Sequence, residues 1–384
     1  MKKILHILLL FFVFWIFSIQ PANAADSSAT AQAEEKWTDS FLAKSDTAEL
    51  DRLLDELFPQ SDLSFRKIVE ILISEDSTVP VNEILTFLAE KIFDAIHRNR
   101  PAVIFLVMMS FVSALFANFA NAFHSRQAAS IGFYVVYLLM ITVCLRAFRL
   151  TLDGMETSIS HLLTFMQIFS PLYFISMAIS VGSVSSIAFY NLVILLIYLV
   201  ELIISRLLLP LVHVYLTMQI LNFLSEDEVL SKFAEFIKMA VEWCLKALFA
   251  GITGISLVQG LLSPAIDTVK RNAVTKGIEM IPGIGNIAGS TGEMLMGAAV
   301  LVKNGIGTAG AILVLAICLV PVLNMAAVTL LYKGVAAFIQ PLSEKRFTEA
   351  ISSMGEGYRL LLKIEIATAL LFFITIAVAV KVAS

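Results

Sequence analysis

Charged residues are scarce in this chain: they make up 15% of its 384 residues, whereas hydrophobic residues make up 58%. A soluble domain carries about a quarter charged residues, so the composition excludes an ordinary water-soluble enzyme or binding domain. Cysteine and histidine are also few, with three and five residues that lie far apart in the sequence. Because zinc sites and disulfide frameworks need closely spaced or paired ligands, neither is predicted.

Long apolar stretches take the place of the missing charge. Eight of them are of helical length, close to the roughly 20 residues that a helix needs to cross the hydrocarbon core of a bilayer. They cover residues 102–123, 130–150, 161–181, 184–204, 207–224, 247–263, 305–331 and 364–381. Because unpaired backbone amides are too costly in lipid, each stretch predicts a helix. The predicted fold is all-α: a polytopic helical membrane protein with about eight transmembrane helices in a domain covering residues 101–384.

The N-terminus has the pattern of a secretory signal peptide over residues 1–24. Two lysines precede an apolar run at residues 4–19, and residues 22–24 (Ala-Asn-Ala) give the small-x-small pattern of a cleavage site. The apolar run is slightly long for a signal peptide, so a retained anchor is the alternative. Both interpretations predict that the segment after it is exported.

Residues 25–100 form an acidic segment, with 16 Asp and Glu against 8 Lys and Arg. Three amphipathic helices are predicted here, and the first has an apolar stripe opposite an acidic face. The candidate partner-binding residues are Leu50, Leu53 and Leu57 of the stripe and Asp51, Asp55 and Glu56 of the acidic face. These helices are predicted to do one of three things: form a small bundle of their own, pack on the membrane part or bind a partner. About 75 residues is near the lower limit for an independent core, which favours docking.

Two later stretches, 225–246 and 332–363, carry the basic residues expected on the cytoplasmic side of a membrane protein. They include Lys238 in the first and Lys333, Arg359 and Lys363 in the second. Residues 226–246 have the pattern of an amphipathic helix with acidic and basic residues at helical spacing. This helix is predicted either to lie on the membrane surface or to extend the span at 247–263.

Proline and glycine are concentrated between residues 264 and 303. Non-helical backbone at membrane depth is tolerated only where protein buries it or where it lines a wet cavity, and broken helices mark transport paths in transporters. The candidate pore segment comprises Pro282, Gly283, Gly285, Gly289 and Glu293. Close helix packing through Gly285 and Gly289, or a plain re-entrant loop, is the alternative interpretation.

Catalytic motifs are missing from the sequence. It has no H-E-x-x-H pair, no Gly-x-Ser-x-Gly elbow and no Gly-Lys-Ser/Thr phosphate loop after Gly283. An enzyme is therefore not expected, and no cofactor, metal or nucleic-acid partner is predicted. The sequence fits a protein with a role in structure, in the passage of molecules or in the assembly of a complex.

Several motifs of the second half occur together in one order. Lys270-Arg271 precedes the Ile-Pro-Gly-Ile-Gly sequence at 281–285, a glycine-rich stretch at 303–310 opens a span centred on Pro321, and Gln340-Pro341 begins a polar stretch. With the signal sequence and the acidic exported segment, this combination resembles the stage III sporulation protein AE family of endospore-forming bacteria. The resemblance covers roughly residues 40–384.

The resemblance implies a pore or export-gate-like subunit of a transenvelope channel complex, similar to secretion machinery, that joins mother cell and forespore. It implies a place in the outer forespore membrane, with the exported part in the intermembrane space. The expected partners are the other subunits of the stage III complex, including a separate ATPase and ring-forming proteins, together with the lipid bilayer and further copies of this chain. An autonomous transporter of a small solute and a non-conducting scaffold remain the alternatives.

Overall fold

The structure, a computed structural model, describes residues 48–57, 64–73, 81–123, 126–181, 185–223, 230–278 and 289–382. Within these ranges the backbone is helical almost throughout and contains no strand, which confirms the all-α prediction. The α-helices are α1 (Ala48–Leu57), α2 (Phe65–Ile73), α3 (Val81–Phe123), α4 (Arg126–Val181), α5 (Ser185–Ile203), α6 (Leu209–Asn222), α7 (Ser231–Ile278), α8 (Gly289–Ile339) and α9 (Lys345–Val382). The signal-peptide prediction for residues 1–24 lies outside the described residues.

Four helical stretches within the described ranges are long and apolar enough to cross a membrane. They are Ala89–Leu115, Tyr134–Ser176, Asn191–Asn222 and Asn304–Ile339. The predicted count of about eight is not confirmed. The eight apolar stretches lie in fewer, longer helical rods, because two pairs of them are joined end to end.

Residues 151–160, which separate the apolar stretches 130–150 and 161–181, do not interrupt the helix, since α4 runs from Arg126 to Val181. At 1.5 Å per residue these 56 residues extend about 84 Å, well beyond the thickness of a bilayer core. Polar residues such as Asp153 and Glu156 lie between the two apolar stretches and are exposed on the helix surface. Polarity ends an apolar run without ending a helix, because nothing in this stretch removes a backbone hydrogen bond.

The apolar stretches 184–204 and 207–224 are likewise continuous, because a single π-helical turn, Ile204–Leu208, joins α5 to α6. The N–H of Leu209 donates to the carbonyl of Ile204, five residues back. Pro210, at the start of α6, has no N–H for the carbonyl four residues before it, and its ring crowds that carbonyl. The wider π turn accommodates the proline and lets the rod continue.

The predicted amphipathic helix is part of α7, where it extends the span at 247–263. One continuous helix covers Ser231–Ile278, so residues 231–246 lead directly into the apolar stretch at 247–263. Ala234, Ile237 and Val241 on one face are buried, whereas Phe236 and Trp243 on the opposite face are 63% and 69% exposed. The outer face therefore carries large apolar side chains beside exposed charges such as Lys232 and Glu235, as on a helix at a membrane surface.

The same pattern of an apolar outer face occurs on α3. Ile104, Met108 and Phe111 recur at helical spacing and are exposed, whereas Ser110 and Ser113 are buried. A soluble protein places its side chains the other way round, with apolar residues inside and polar residues in water. A bilayer reverses the requirement, because the outer surface meets hydrocarbon.

The N-terminal segment (α1 and α2) docks on the membrane part of the chain. Leu50 and Leu53 of α1 are buried, and the N–H of Phe65 donates to Asp51 Oδ1 at 2.7 Å, which fixes α2 against α1. The ring of Phe65 meets Phe169 of α4 edge to face, with centroids 6.3 Å apart. Docking, which the sequence favoured over an independent bundle, is the arrangement in the structure.

Candidate functional site

A cavity of about 380 Å³ lies between α3, α4, α8 and α9. Its lining is apolar for the most part but contains polar groups from all four helices: Arg98 and Asn99 of α3, Thr151 and Ser158 of α4, Asn324 of α8 and Glu365 of α9. We call it the Glu365 cavity. Ligand sites in proteins are typically concave, apolar and supplied with a few such polar groups.

Glu365 is the most unusual of these side chains. It is only 5% exposed, and its Oε2 atom has no hydrogen-bond partner among the described residues. Asn324, which lines the same cavity, has a buried Oδ1 atom that also lacks a partner there. Buried polar atoms are almost always hydrogen-bonded, so two unsatisfied acceptors in one cavity call for a donor that enters it.

Pro321 of α8 explains why space opens at this level. A proline inside a helix has no N–H, so the carbonyl of Ile317 loses its regular partner, and the ring pushes that carbonyl aside. Pro321 itself lines the cavity together with Asn324, one turn further along α8. The proline therefore removes a backbone hydrogen bond of α8 next to the cavity that Asn324 and Glu365 both line.

Three of the other polar groups, Asn99, Thr151 and Ser158, donate hydrogen bonds within their own helices. Asn99 Nδ2 donates to the carbonyl of Ala95 at 2.9 Å, and Thr151 Oγ1 donates to the carbonyl of Ala147 at 3.1 Å. Ser158 Oγ donates to Gly154 in the same way. Arg98 is the charged donor in the lining, yet among the described residues no hydrogen bond reaches Glu365 Oε2 or Asn324 Oδ1, so the cavity can bind a solute that brings its own N–H or O–H groups.

A cluster of ion pairs lies outside the cavity and joins α7, α8 and α9. Glu356 of α9 contacts Lys333 Nζ of α8 at 2.6 Å, Arg359 at 3.4 Å and Lys238 of α7 at 3.7 Å. Desolvation alone would raise the pKa of Glu356, but the hydrogen bond from Lys333 and the three positive charges outweigh it and lower the pKa. The two basic stretches predicted for one side of the membrane thus meet around one carboxylate.

A second pair, Glu242 of α7 and Lys363 of α9, lies 2.6 Å apart. The hydrogen bond from Lys363 is the main cause that lowers the pKa of the Glu242 carboxyl. Both side chains are about one third exposed, at 32% and 38%. The pair therefore fastens α7 to α9 at the surface and is not part of the cavity.

The structure describes only two of the five residues predicted for a pore segment. Pro282, Gly283 and Gly285 lie outside the described residues. Gly289 begins α8, and Glu293 follows one turn later, so both belong to regular helix. The stretches 264–278 and 289–303 on either side are helical as well, and only 279–288 remains for the predicted break. A pore role for these residues stays a prediction.

The residues predicted to bind a partner divide into two groups. Leu50 and Leu53 are buried within the chain, Leu57 packs partly against the core, and Asp51 is the acceptor for Phe65. Asp55 and Glu56 are exposed, and Glu56 lies 3.5 Å from His161 of α4. Partner binding by this face stays a prediction, and its exposed part is acidic.

Sequence reasoning missed the Glu365 cavity because it placed Glu365 at the end of a predicted span. A carboxylate at the edge of an apolar stretch normally reaches toward water, and the sequence does not show that α3 and α4 close over this one. The proline at 321 and the amide at 324 were the available signal. Within the described ranges, no three His, Cys, Asp or Glu side chains come close enough to hold a metal ion.

The exposed apolar faces and the four membrane-length helices are the features of a polytopic helical membrane protein. A family model described as Stage III sporulation protein AE matches residues 63–383. The chain is also 20% identical to the Stage III sporulation protein AE of Bacillus subtilis (strain 168) over 364 residues, which are 93% of this chain and 90% of that protein. No solved structure matches the chain.

This chain belongs to the Stage III sporulation protein AE family, because the family match covers most of its length. Membership supports a role in sporulation, and the apolar helices are compatible with a location in a membrane.

Proposed function

We propose that the chain is a membrane subunit of a transenvelope channel complex between mother cell and forespore. Family membership over residues 63–383 is the observation that carries this proposal. The chain resides in the outer forespore membrane, with its N-terminal segment in the intermembrane space. Its partners are other subunits of the stage III complex, including a separate ATPase and ring-forming proteins.

The docked N-terminal segment supports an assembly role. Its apolar stripe is used inside the chain, which leaves a firmly held surface with the exposed side chains of Arg52, Asp55 and Glu56. A rigid surface loses little conformational entropy when a partner binds. Charged groups at the rim of such a surface favour one orientation of the partner.

The assembly role is tested by reversing the charge of this surface. Asp55 and Glu56 are both changed to Lys, and tagged protein is purified from sporulating cells after crosslinking. The proposal expects the other subunits to be lost from the reversed variant. Glu235→Lys on α7 is the matched control, because Glu235 is 65% exposed and lies on another helix. Equal recovery of subunits with both variants would contradict partner binding by this surface.

The candidate pore segment is a separate part of the proposal. Bulky substitutions at Gly283 or Gly285 block passage if the segment lines a channel, while the amount of assembled complex stays unchanged. The measurement is uptake of a small fluorescent solute by the forespore beside quantification of the complex. Unchanged uptake with Gly283→Trp would remove the pore assignment and leave the assembly role intact.

An autonomous transporter of a small solute is the second candidate, and the Glu365 cavity is the observation that favours it. A polar cavity among membrane helices is the feature that a transporter requires. Uptake of a solute by liposomes that contain only the purified chain would favour this candidate. Uptake that needs the remaining subunits would favour the channel complex.

A further inference from the structure

We propose that the Glu365 cavity binds a small organic solute through a protonated amine, whose N–H groups are accepted by Glu365 and Asn324. The proposal goes beyond the assembly role, because it assigns a ligand class to a site within this single chain. It rests on two buried acceptors without partners, on the volume of the cavity and on the other charge in its lining.

The two unsatisfied atoms are of one chemical kind. Glu365 Oε2 and Asn324 Oδ1 are acceptors, and neither finds a donor among the described residues. Burying an unpaired charge is very costly, so the Glu365 side chain, which is 5% exposed, is a charged carboxylate only when a positive partner is bound beside it. A protonated amine carries both the charge and up to three N–H groups, so it can satisfy the carboxylate and the amide together.

The volume of the cavity is much larger than a bare inorganic ion needs. The cavity measures about 380 Å³, which falls in the range of roughly 300–1,000 Å³ for small-molecule sites. A desolvated sodium ion would occupy a small fraction of this volume and would need more oxygen ligands than the two unsatisfied acceptors. An amine attached to a small organic body fills the apolar part, which Met155, Met325 and Val328 help to line.

Arg98 provides a second charge in the same lining. Its side chain is exposed whereas Glu365 is buried, so the positive and negative groups lie at different depths. The cavity therefore offers a solute a positive group as well as an acidic one. It suits a solute with the amine at its deep end and a neutral or anionic group nearer to Arg98.

Binding to the purified full-length chain in detergent tests this inference by isothermal titration calorimetry. The probes are n-propylamine and L-alanine, which carry the amine, and propionate and sodium chloride, which do not. We expect the two amines to bind the wild type and propionate and sodium to leave it unchanged. Glu365→Gln should weaken amine binding by about tenfold or more, because a hydrogen bond to a charged group is lost.

Glu349→Gln is the matched control, since Glu349 lies on the same helix and its ion pair with Lys345 is remote from the cavity lining. It should bind the amines as the wild type does. Asn324→Leu keeps the carboxylate and removes the second acceptor, and we expect it to weaken amine binding severalfold. Asn324→Leu also tests the proposal if Glu365→Gln fails to fold. The melting temperature of each variant without solute shows whether it folds.

The inference is overturned if neither amine binds the wild type at millimolar concentrations or if propionate binds as well as propylamine does. Equal amine binding by Glu365→Gln and Glu349→Gln would also overturn it, as would a response to sodium alone. The measurement needs no other subunit. Its failure would therefore leave the proposed assembly role standing, and loss of assembly in the charge-reversed variant would leave this inference standing.

Discussion

Phe169 of α4 packs directly on Gly310 of α8, and its ring occupies the space that a Cβ atom at position 310 would need. The same ring stacks on Phe165 and Tyr173 along α4 and meets Phe65 of α2 edge to face. One aromatic side chain thus touches the docked N-terminal segment and the backbone of α8. The close approach explains why a residue without a side chain is required in the middle of a long helix.

Gly310→Ala should therefore destabilise the protein by about 1–3 kcal/mol, the usual cost of overpacking. Gly334→Ala, on the same helix, has nothing within 4 Å of the added methyl group and should gain about 0.5–1 kcal/mol from the better helix former. Thermal unfolding in detergent measures both. Phe169→Leu should relieve part of the loss in the double variant, and no relief would show that the ring is not the obstacle.

Leu50 anchors α1, because its side chain is completely buried in the core that includes α4. Leu50→Ala should cost about 2–5 kcal/mol of local stability and release the N-terminal segment from the membrane part. Limited proteolysis would then cut the segment faster, while the remaining helices keep their resistance. Glu49→Ala, at an exposed neighbouring position, is the control that should leave the cleavage rate unchanged. Equal rates in both variants would contradict the docked arrangement.

Helix positions were predictable because apolar periodicity is local information. The stripe that contains Leu50 and Leu53 identified a face that is indeed buried, and the apolar stretches all lie in helices. Helix ends were less predictable. The polar residues at 151–160 interrupt hydropathy but keep good helical bonding, and the proline at 210 is absorbed by a π turn instead of ending the rod.

The Glu365 cavity could not be predicted, because its four walls come from parts of the sequence that lie up to 270 residues apart. No helix of the lining indicates a site by its own sequence. Asn99 and Thr151 donate hydrogen bonds within their own helices, and Glu365 lies at the start of the apolar stretch 364–381. Only the packing of α3 and α4 against α8 and α9 buries the carboxylate. Long-range packing is the information that a single sequence carries least directly.

Tyr137 of α4 caps the C-terminal end of α6, where its hydroxyl donates to the carbonyl of Ile220 at 2.9 Å. That carbonyl belongs to the last turn of a helix, where carbonyl groups have no partner within the helix. Tyr137→Phe should cost about 1–3 kcal/mol by leaving a buried carbonyl without this donor. Tyr198→Phe is the control, because Tyr198 is 49% exposed, and thermal unfolding should not distinguish it from the wild type. Equal losses in the two variants would remove the capping role.

The pair of Glu242 and Lys363 should make the joint between α7 and α9 sensitive to acid. The hydrogen bond from Lys363 lowers the pKa of Glu242 in the folded protein, so the unfolded chain takes up this proton at a higher pH than the folded one. The stabilisation is thus fully present above the unfolded pKa of about 4.3 and is lost as the pH falls through the lower folded pKa. Because both groups are partly exposed, its size at pH 7 is about 0.2–1 kcal/mol.

A double-mutant cycle isolates this contribution from the other carboxylates that titrate in the same range. Glu242→Gln, Lys363→Met and the double variant are unfolded thermally at pH 7 and at pH 3, and the coupling energy is compared. We expect the coupling to weaken between pH 7 and pH 3, because Glu242 attracts the ammonium group less as it becomes protonated. High salt should reduce the coupling at pH 7 as well, since both side chains are reached by solvent. Coupling that changes neither with pH nor with salt would mean that packing of the two side chains, and not their charge, holds α7 against α9.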